Sequence, residues 1–181
     1  TDSQWNYRHR AQYKVSRNGR IGFFKESTRD LVTFESCPLM NQEINALISK
    51  IKEKDIVRHL DEIHIVSGDS LIALLKGRDY DNKLFDEWRT FKECINEHIE
   101  IGLSGTAYND TVAFGTGYTK LDLNGFKYTV SPWTFFQSHW NLNKKIVDFI
   151  TNQLMPLKDK RVLDLYAGAG NFAIPMAVHA K

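Results

Sequence analysis

The sequence predicts an α+β layer on a mostly antiparallel sheet, followed by the first β-loop-α unit of a parallel, doubly wound sheet. Three observations predict it. Two Asn-Gly pairs, Asn18-Gly19 and Asn124-Gly125, each separate strand-like runs. Three segments repeat apolar residues at the helical period. Near the C-terminal end, a short apolar run enters a glycine loop and leaves it as a helix start. The change of character near Ser131 divides the chain into residues 1–130 and 131–181.

Each element has its own warrant. Asn18-Gly19 lies between Tyr13-Lys14-Val15 and Ile21-Gly22-Phe23-Phe24, and Asn124-Gly125 between Leu121-Asp122-Leu123 and Phe126–Val130. Asn-Gly accepts the positive φ of a tight turn, so both pairs predict antiparallel hairpins. Further strands are expected at Leu31–Phe34, Glu62–Val66, Leu71–Lys76, Glu100–Leu103 and Val112–Tyr118. Helical stripes run through Ile44, Leu47, Ile48 and Ile51, then Leu84, Trp88, Phe91 and Ile95. A third stripe, Leu142, Ile146, Phe149 and Ile150, marks a helix over Asn141–Leu154. Arg161–Leu165 reads as a buried parallel strand, and Asn171–Val178 as the helix after its loop.

Composition narrows the class. The 181 residues are 42% hydrophobic and 12% aromatic, which supports a packed core and argues against disorder. The net charge of +2 is unevenly spread: residues 1–30 carry +4 and the remainder −2. Two cysteines, Cys37 and Cys94, without CxxC spacing, favour a reducing, cytoplasmic setting. No leader pattern and no long apolar run point to secretion or a membrane, and nothing calls for an obligate protein partner. The chain begins with Thr1 and stops inside a helix-like stretch, so both ends read as cuts in a longer protein.

The most informative stretch is Val162-Leu163-Asp164-Leu165-Tyr166-Ala167-Gly168-Ala169-Gly170-Asn171-Phe172. Glycines after a strand let a ligand approach bare backbone beside a helix start. Gly168, Gly170 and Ala173 also satisfy a dinucleotide-type spacing, and a purely structural turn has the same composition. Asp164 separates the ligands by charge: it repels a pyrophosphate and attracts a ligand carrying an amine and a sulfonium.

Asp164–Phe172 resembles the first motif of the RNA (uracil-5)-methyltransferases, Asp-Leu-aromatic-x-Gly-x-Gly-Asn-Phe. Upstream, Ser131-Pro132-Trp133-Thr134-Phe135-Phe136-Gln137-Ser138 is similar to that family's Ser-Pro-x-x-Phe-Phe-Gln segment. His139 stands where the family usually has Asn. The resemblance implies a class I (Rossmann-like) methyltransferase domain beginning at residue 131 and S-adenosylmethionine as cofactor. Gln137, Tyr166 and Asn171 are then the contacts, with Asp164 and Gly168 shaping the pocket. Read without the family, Gln137 is equally a loop-satisfying amide.

At the other end, Tyr7-Arg8-His9-Arg10 resembles the family's Tyr-Arg-Asn-Lys/Arg segment, with His9 in place of Asn. Basic residues among aromatics suit unpaired RNA, cations meeting phosphates and rings meeting bases. Tyr7, Arg8, Arg10 and Arg20 are therefore the expected RNA contacts, in transfer or ribosomal RNA. A solvated basic face is the plainer alternative for each residue taken singly. Cys37 matches the place of the last of four iron–sulfur ligands in relatives, but one thiolate holds no cluster, so no metal is expected. Cys94 is expected as a small buried hydrophobe.

The resemblance also implies the reaction: a cysteine thiolate adds to carbon 6 of uracil, and carbon 5 then takes the methyl group. Both that cysteine and the base lie well downstream in the family, so no catalytic residue is expected in this chain. Two other readings stay open, a fragment of an NAD-dependent oxidoreductase and a non-catalytic RNA-binding module.

Overall fold

The computed structural model describes residues 4–78, 82–95, 99–105 and 117–180, with backbone alone at 82–85, 100, 104 and 105. A six-stranded sheet has the order β3-β2-β1-β4-β5-β6. Its strands are β1 (Arg10–Val15), β2 (Ile21–Phe24), β3 (Leu31–Thr33), β4 (Leu60–Ser67), β5 (Leu71–Gly77) and β6 (Ile99–Gly105). All neighbours are antiparallel except β5 and β6, which are joined through helix α2 (Asn82–Glu93). Helix α1 (Gln42–Lys52) and a 3-10 turn (Asp55–His59) connect β3 to β4.

Alternation explains which residues face the helices α1 and α2. Ala11, Tyr13 and Val15 of β1, Ile63 and Ile65 of β4, and Leu71, Ala73 and Leu75 of β5 point to one side. There they meet Ile44, Leu47, Ile48 and Ile51 of α1 and Trp88 and Phe91 of α2. The first predicted stripe is thus wholly buried. Asn41 starts α1 by accepting the Ile44 N–H at 2.9 Å, and Lys50 and Lys52 complement the helix dipole at its end. Cys94 corrects the sequence reading. It follows the last residue of α2 and is exposed.

Both Asn-Gly pairs do turn hairpins, by different geometries. Asn124 and Gly125 both take positive φ (53° and 87°), a two-residue turn between β7 (Thr119–Leu123) and β8 (Phe126–Val130). In the first hairpin Gly19 alone is left-handed (φ 77°), and Ser16 N–H bonds to Arg20 O at 2.9 Å. The expected strand Val112–Tyr118 falls mostly outside the described residues, and Gly117 and Tyr118 are not in a strand.

The β7–β8 pair forms a second sheet with its own core. Leu121, Leu123, Tyr128 and Val130 pack with Phe136, with Trp140 and Val147 of helix α3 (Trp140–Leu154), and with Val66 of the large sheet. The third stripe is corrected here. The helix exists, but Leu142, Ile146 and Phe149 are 43%, 40% and 65% exposed. Trp140, Asn143, Val147 and Thr151 face inward instead. Two polar residues hold core positions, so counting apolar residues selected the wrong face.

The strand expected at Arg161–Leu165 is also corrected. That run pairs with no described strand, and Leu163 and Leu165 are exposed. An apolar run becomes a parallel strand only when a neighbour takes its backbone groups. The helix after the loop is short, α4 (Ala173–Ala177).

On the second face of the large sheet, Glu62 accepts hydrogen bonds from Lys14, from His64 Nε2 at 2.7 Å and from Lys76 at 3.1 Å. Partial burial opposes its charge, but these donors outweigh that and hold its carboxyl down at about 2, from 4.5. Burial lowers His64 as well. Below pH 6.5 the unfolded chain protonates this histidine before the folded one does, so stability falls with pH there. Glu62 adds a second decline between pH 4.5 and about 2, of about 1–2 kcal/mol after solvent screening. Thermal melting from pH 7 to pH 2 checks this, and Glu62→Gln should remove the lower step.

Candidate cofactor site and basic edge

The glycine loop leaves the Arg161–Leu165 run through three left-handed residues, Tyr166 (φ 61°), Gly168 (φ 56°) and Gly170 (φ 81°). At Gly170 the left-handed backbone is what demands glycine, since a β-carbon there would meet only the outer side-chain atoms of Ile174 of α4, at 2.9 Å. Gly170 N–H closes the bend on Ala167 O at 2.8 Å. Tyr128 of β8 donates its hydroxyl to Gly170 O at 3.1 Å, which ties the loop to the hairpin.

The Ser131–Ser138 segment lies beside that bend. Ser131 N–H bonds to Thr134 Oγ1 at 3.1 Å and turns the chain. Phe136 is driven into the hairpin core, edge-on to Tyr128 and 5.4 Å from the Trp140 ring. Gln137 follows it and stays exposed. All five residues expected at the cofactor, Gln137, Asp164, Tyr166, Gly168 and Asn171, line one cavity of about 170 Å³. Phe135 and Phe172 complete its wall.

Two of the five have structural duties as well. Asp164 Oδ2 accepts the Ala173 N–H at 3.2 Å, fastening the start of α4 to the run before the loop. Asn171 and the buried Asn143 of α3 exchange reciprocal amide hydrogen bonds at 2.7 and 2.9 Å. An amide has two donor hydrogens and an acceptor with two lone pairs, so Asn171 keeps capacity for a ligand. Tyr166 is fully exposed and makes one open side of the cavity. The volume is below the usual range of about 300–1,000 Å³ for small-molecule sites, and corresponds to one wall of such a site. Sequence reasoning missed Tyr128 and Asn143. Its only available signal was a polar residue between apolar neighbours on α3.

The basic edge is partly assembled. The Tyr7 ring stacks on His139 at 4.2 Å and 14°. Arg8 reaches Ser138 Oγ and Arg10 reaches Pro132 O, both at 3.4 Å. Three of the four expected RNA contacts therefore sit against the segment that carries Gln137. Arg20 does not join them. It lies past the far end of β1, a strand of six residues, roughly 17 Å along. His9, between the two arginines, is held below its usual pKa by burial. Cys37 is half-buried against the main core, and Asn45 Oδ1 accepts its N–H at 3.1 Å. Among the described residues no helix is long and apolar enough to cross a membrane.

Comparison with known proteins adds a family. The family model described as tRNA (Uracil-5-)-methyltransferase matches residues 1–181. A tRNA/tmRNA (uracil-C(5))-methyltransferase of Pseudoalteromonas translucida is 29% identical, over 95% of this chain and 51% of that protein. A 23S rRNA (uracil(1939)-C(5))-methyltransferase of Erwinia tasmaniensis is 32% identical, over 98% of this chain and 42% of that protein. The solved structure of Pyrococcus abyssi tRNA (uracil-54, C5)-methyltransferase in complex with S-adenosyl-L-homocysteine superposes with a TM-score of 0.70. That match is 17% identical and covers 97% of this chain and 47% of that one, so it speaks for the fold. The chain spans about half the length of the curated relatives it matches.

Proposed function

The chain belongs to the tRNA (uracil-5-)-methyltransferase family, and from that premise we propose that it supplies one wall of an S-adenosylmethionine site and an RNA-facing surface to an enzyme that methylates carbon 5 of uridine. The observation that carries this is the meeting of Gln137 with Asp164, Tyr166, Gly168 and Asn171 around one cavity. Residues more than 25 positions apart arrive there through two separate anchors, Phe136 in the hairpin core and the Asn143–Asn171 amide pair.

The residues fit such a cofactor. Asp164 offers a negative charge to a ligand with a cationic amine and sulfonium. Gln137 offers both a donor and an acceptor, and Tyr166 an aromatic wall. When bound, the cofactor supplies the activated methyl group. This chain's own contribution is to bind and orient it through the left-handed bend. The cysteine adduct to uracil, with its nucleophile and base, is assigned to residues beyond these 181. Residues 131–181 then open a class I (Rossmann-like) methyltransferase domain, and residues 1–130 form the RNA-facing domain, with Tyr7, Arg8, Arg10 and Arg20 as contacts.

Calorimetry with S-adenosyl-L-homocysteine on a full-length protein carrying this chain tests the proposal. Gln137→Ala should weaken binding about tenfold, the worth of one good hydrogen bond to a charged ligand. The 181 residues alone should bind only weakly. Unchanged affinity in Gln137→Ala, or preferential binding of a nicotinamide dinucleotide, would refute the assignment.

A further inference from the structure

The face of the large sheet opposite α1 and α2 holds an arrangement that the cofactor site does not use. Register places Thr33, Gly22, Lys14, Glu62, Lys76 and Ser104 in one row across all six strands. Lys14 and Lys76 stand two strands apart, about 10 Å between backbones, with Glu62 between them and bonded to both ammonium groups. Each lysine also lies beside a ring. The Lys14 ammonium is 5.7 Å from the Phe24 centroid, and that of Lys76 is 5.8 Å from Trp133. Phe24 is 46% exposed and Trp133 49%, and neither belongs to a core cluster. Arg10 lies on the same face, bonded to Pro132 O beside Trp133.

This pattern favours one kind of partner. The core of a protein-docking patch is depleted of charged residues. Here two exposed rings are kept apart by a row of charges, cationic on balance among the described side chains. Rings that stack on bases, alternating with ammonium groups that meet phosphates, are how sheet faces hold unpaired nucleic acid. Glu62 fixes both lysines in place, so little side-chain freedom remains to be lost on binding.

We propose that this face is a platform for single-stranded RNA, in which bases stack on Phe24 and Trp133 and phosphates lie along Lys14, Lys76 and Arg10. The proposal rests on the reading of RNA as substrate class. It adds a surface that adjoins the Tyr7–Arg8 edge at Arg10 and is distinct from the cofactor cavity.

Fluorescence anisotropy of a labelled oligouridylate on the 181-residue chain tests it. Phe24→Leu and Trp133→Leu keep apolar bulk at exposed positions, so circular dichroism and melting should not change. Each should weaken binding about fivefold to a hundredfold, the worth of one stacked base, and Trp133→Phe should restore most of it. A double Lys14→Gln, Lys76→Gln variant should make log affinity fall less steeply with log salt, by about 0.7 for each phosphate left without its ammonium. Full affinity in both leucine variants, with weakening confined to Arg8→Ala, would overturn the platform and leave the basic edge as the RNA surface. Failure of the unaltered chain to bind oligouridylate would overturn the platform and the basic edge together. The calorimetric reading of the cofactor site would be untouched by that outcome.

Discussion

Gly68→Ala should cost about 3 kcal/mol and lower the melting temperature by about 6–12 °C. Gly68 sits where β4 turns into β5 and where the small sheet meets the large one. A β-carbon there would lie 2.4 Å from Thr119 Oγ1 and 2.5 Å from the backbone oxygen of Lys120. The second contact is decisive, because the backbone oxygen of a paired strand cannot swing aside as a side-chain tip can. The displaced groups are all committed. Asp69 N–H bonds to Lys120 O at 2.9 Å, Asp69 Oδ1 accepts the Lys120 N–H at 2.9 Å, and the buried Thr119 accepts the Ser70 N–H at 3.1 Å. The added methyl therefore pushes β7 off the turn that seats it.

Gly125→Ala is the control. Nothing lies within 4 Å of a β-carbon there, but φ is +87°, so the cost is conformational alone, roughly 1 kcal/mol. Thermal melting of both variants checks the contrast. Equal effects would show that packing between the two sheets is looser than these distances imply.

Asn143→Leu should cost about 2–3 kcal/mol and loosen the glycine loop without touching any ligand. Asn143 is 2% exposed and shares two hydrogen bonds with Asn171. Leucine has similar bulk, so little cavity forms. Both hydrogen bonds vanish, however, and the Asn171 amide is left unpaired near the core. Melting measures the stability, and hydrogen exchange of amides 166–171 should accelerate. In a full-length protein the same change should weaken cofactor binding, because Asn171 would lose its orientation. Unaltered exchange in the loop would mean that the bend is held by Tyr128 and Asp164 without help from α3.

Much of this was legible in the sequence, and the residues show where legibility stopped. The hairpins could be read because Asn124-Gly125 states a backbone conformation that few other pairs adopt. Helix α1 could be read because all four of its periodic residues face one core. Helix α3 defeated the same logic. Its buried face includes Thr151 and Asn143, and the Asn171 amide that pairs with Asn143 is not revealed by periodicity. The proposed cofactor contacts came from motif resemblance, and the fold brings them around one cavity. The Lys14–Glu62–Lys76 row stayed invisible, since cross-strand neighbours are set by register between segments distant in sequence.

The outward flank of α3 has a practical side. Leu142, Ile146 and Phe149 set three large oily side chains, roughly half bare, in a row against water. A solution of the isolated chain should therefore grow sticky as it is concentrated, and bind reporter dyes for oily surfaces while its secondary structure stays intact. Measurements of affinity on the isolated chain belong at low micromolar protein or below, where this flank meets only solvent.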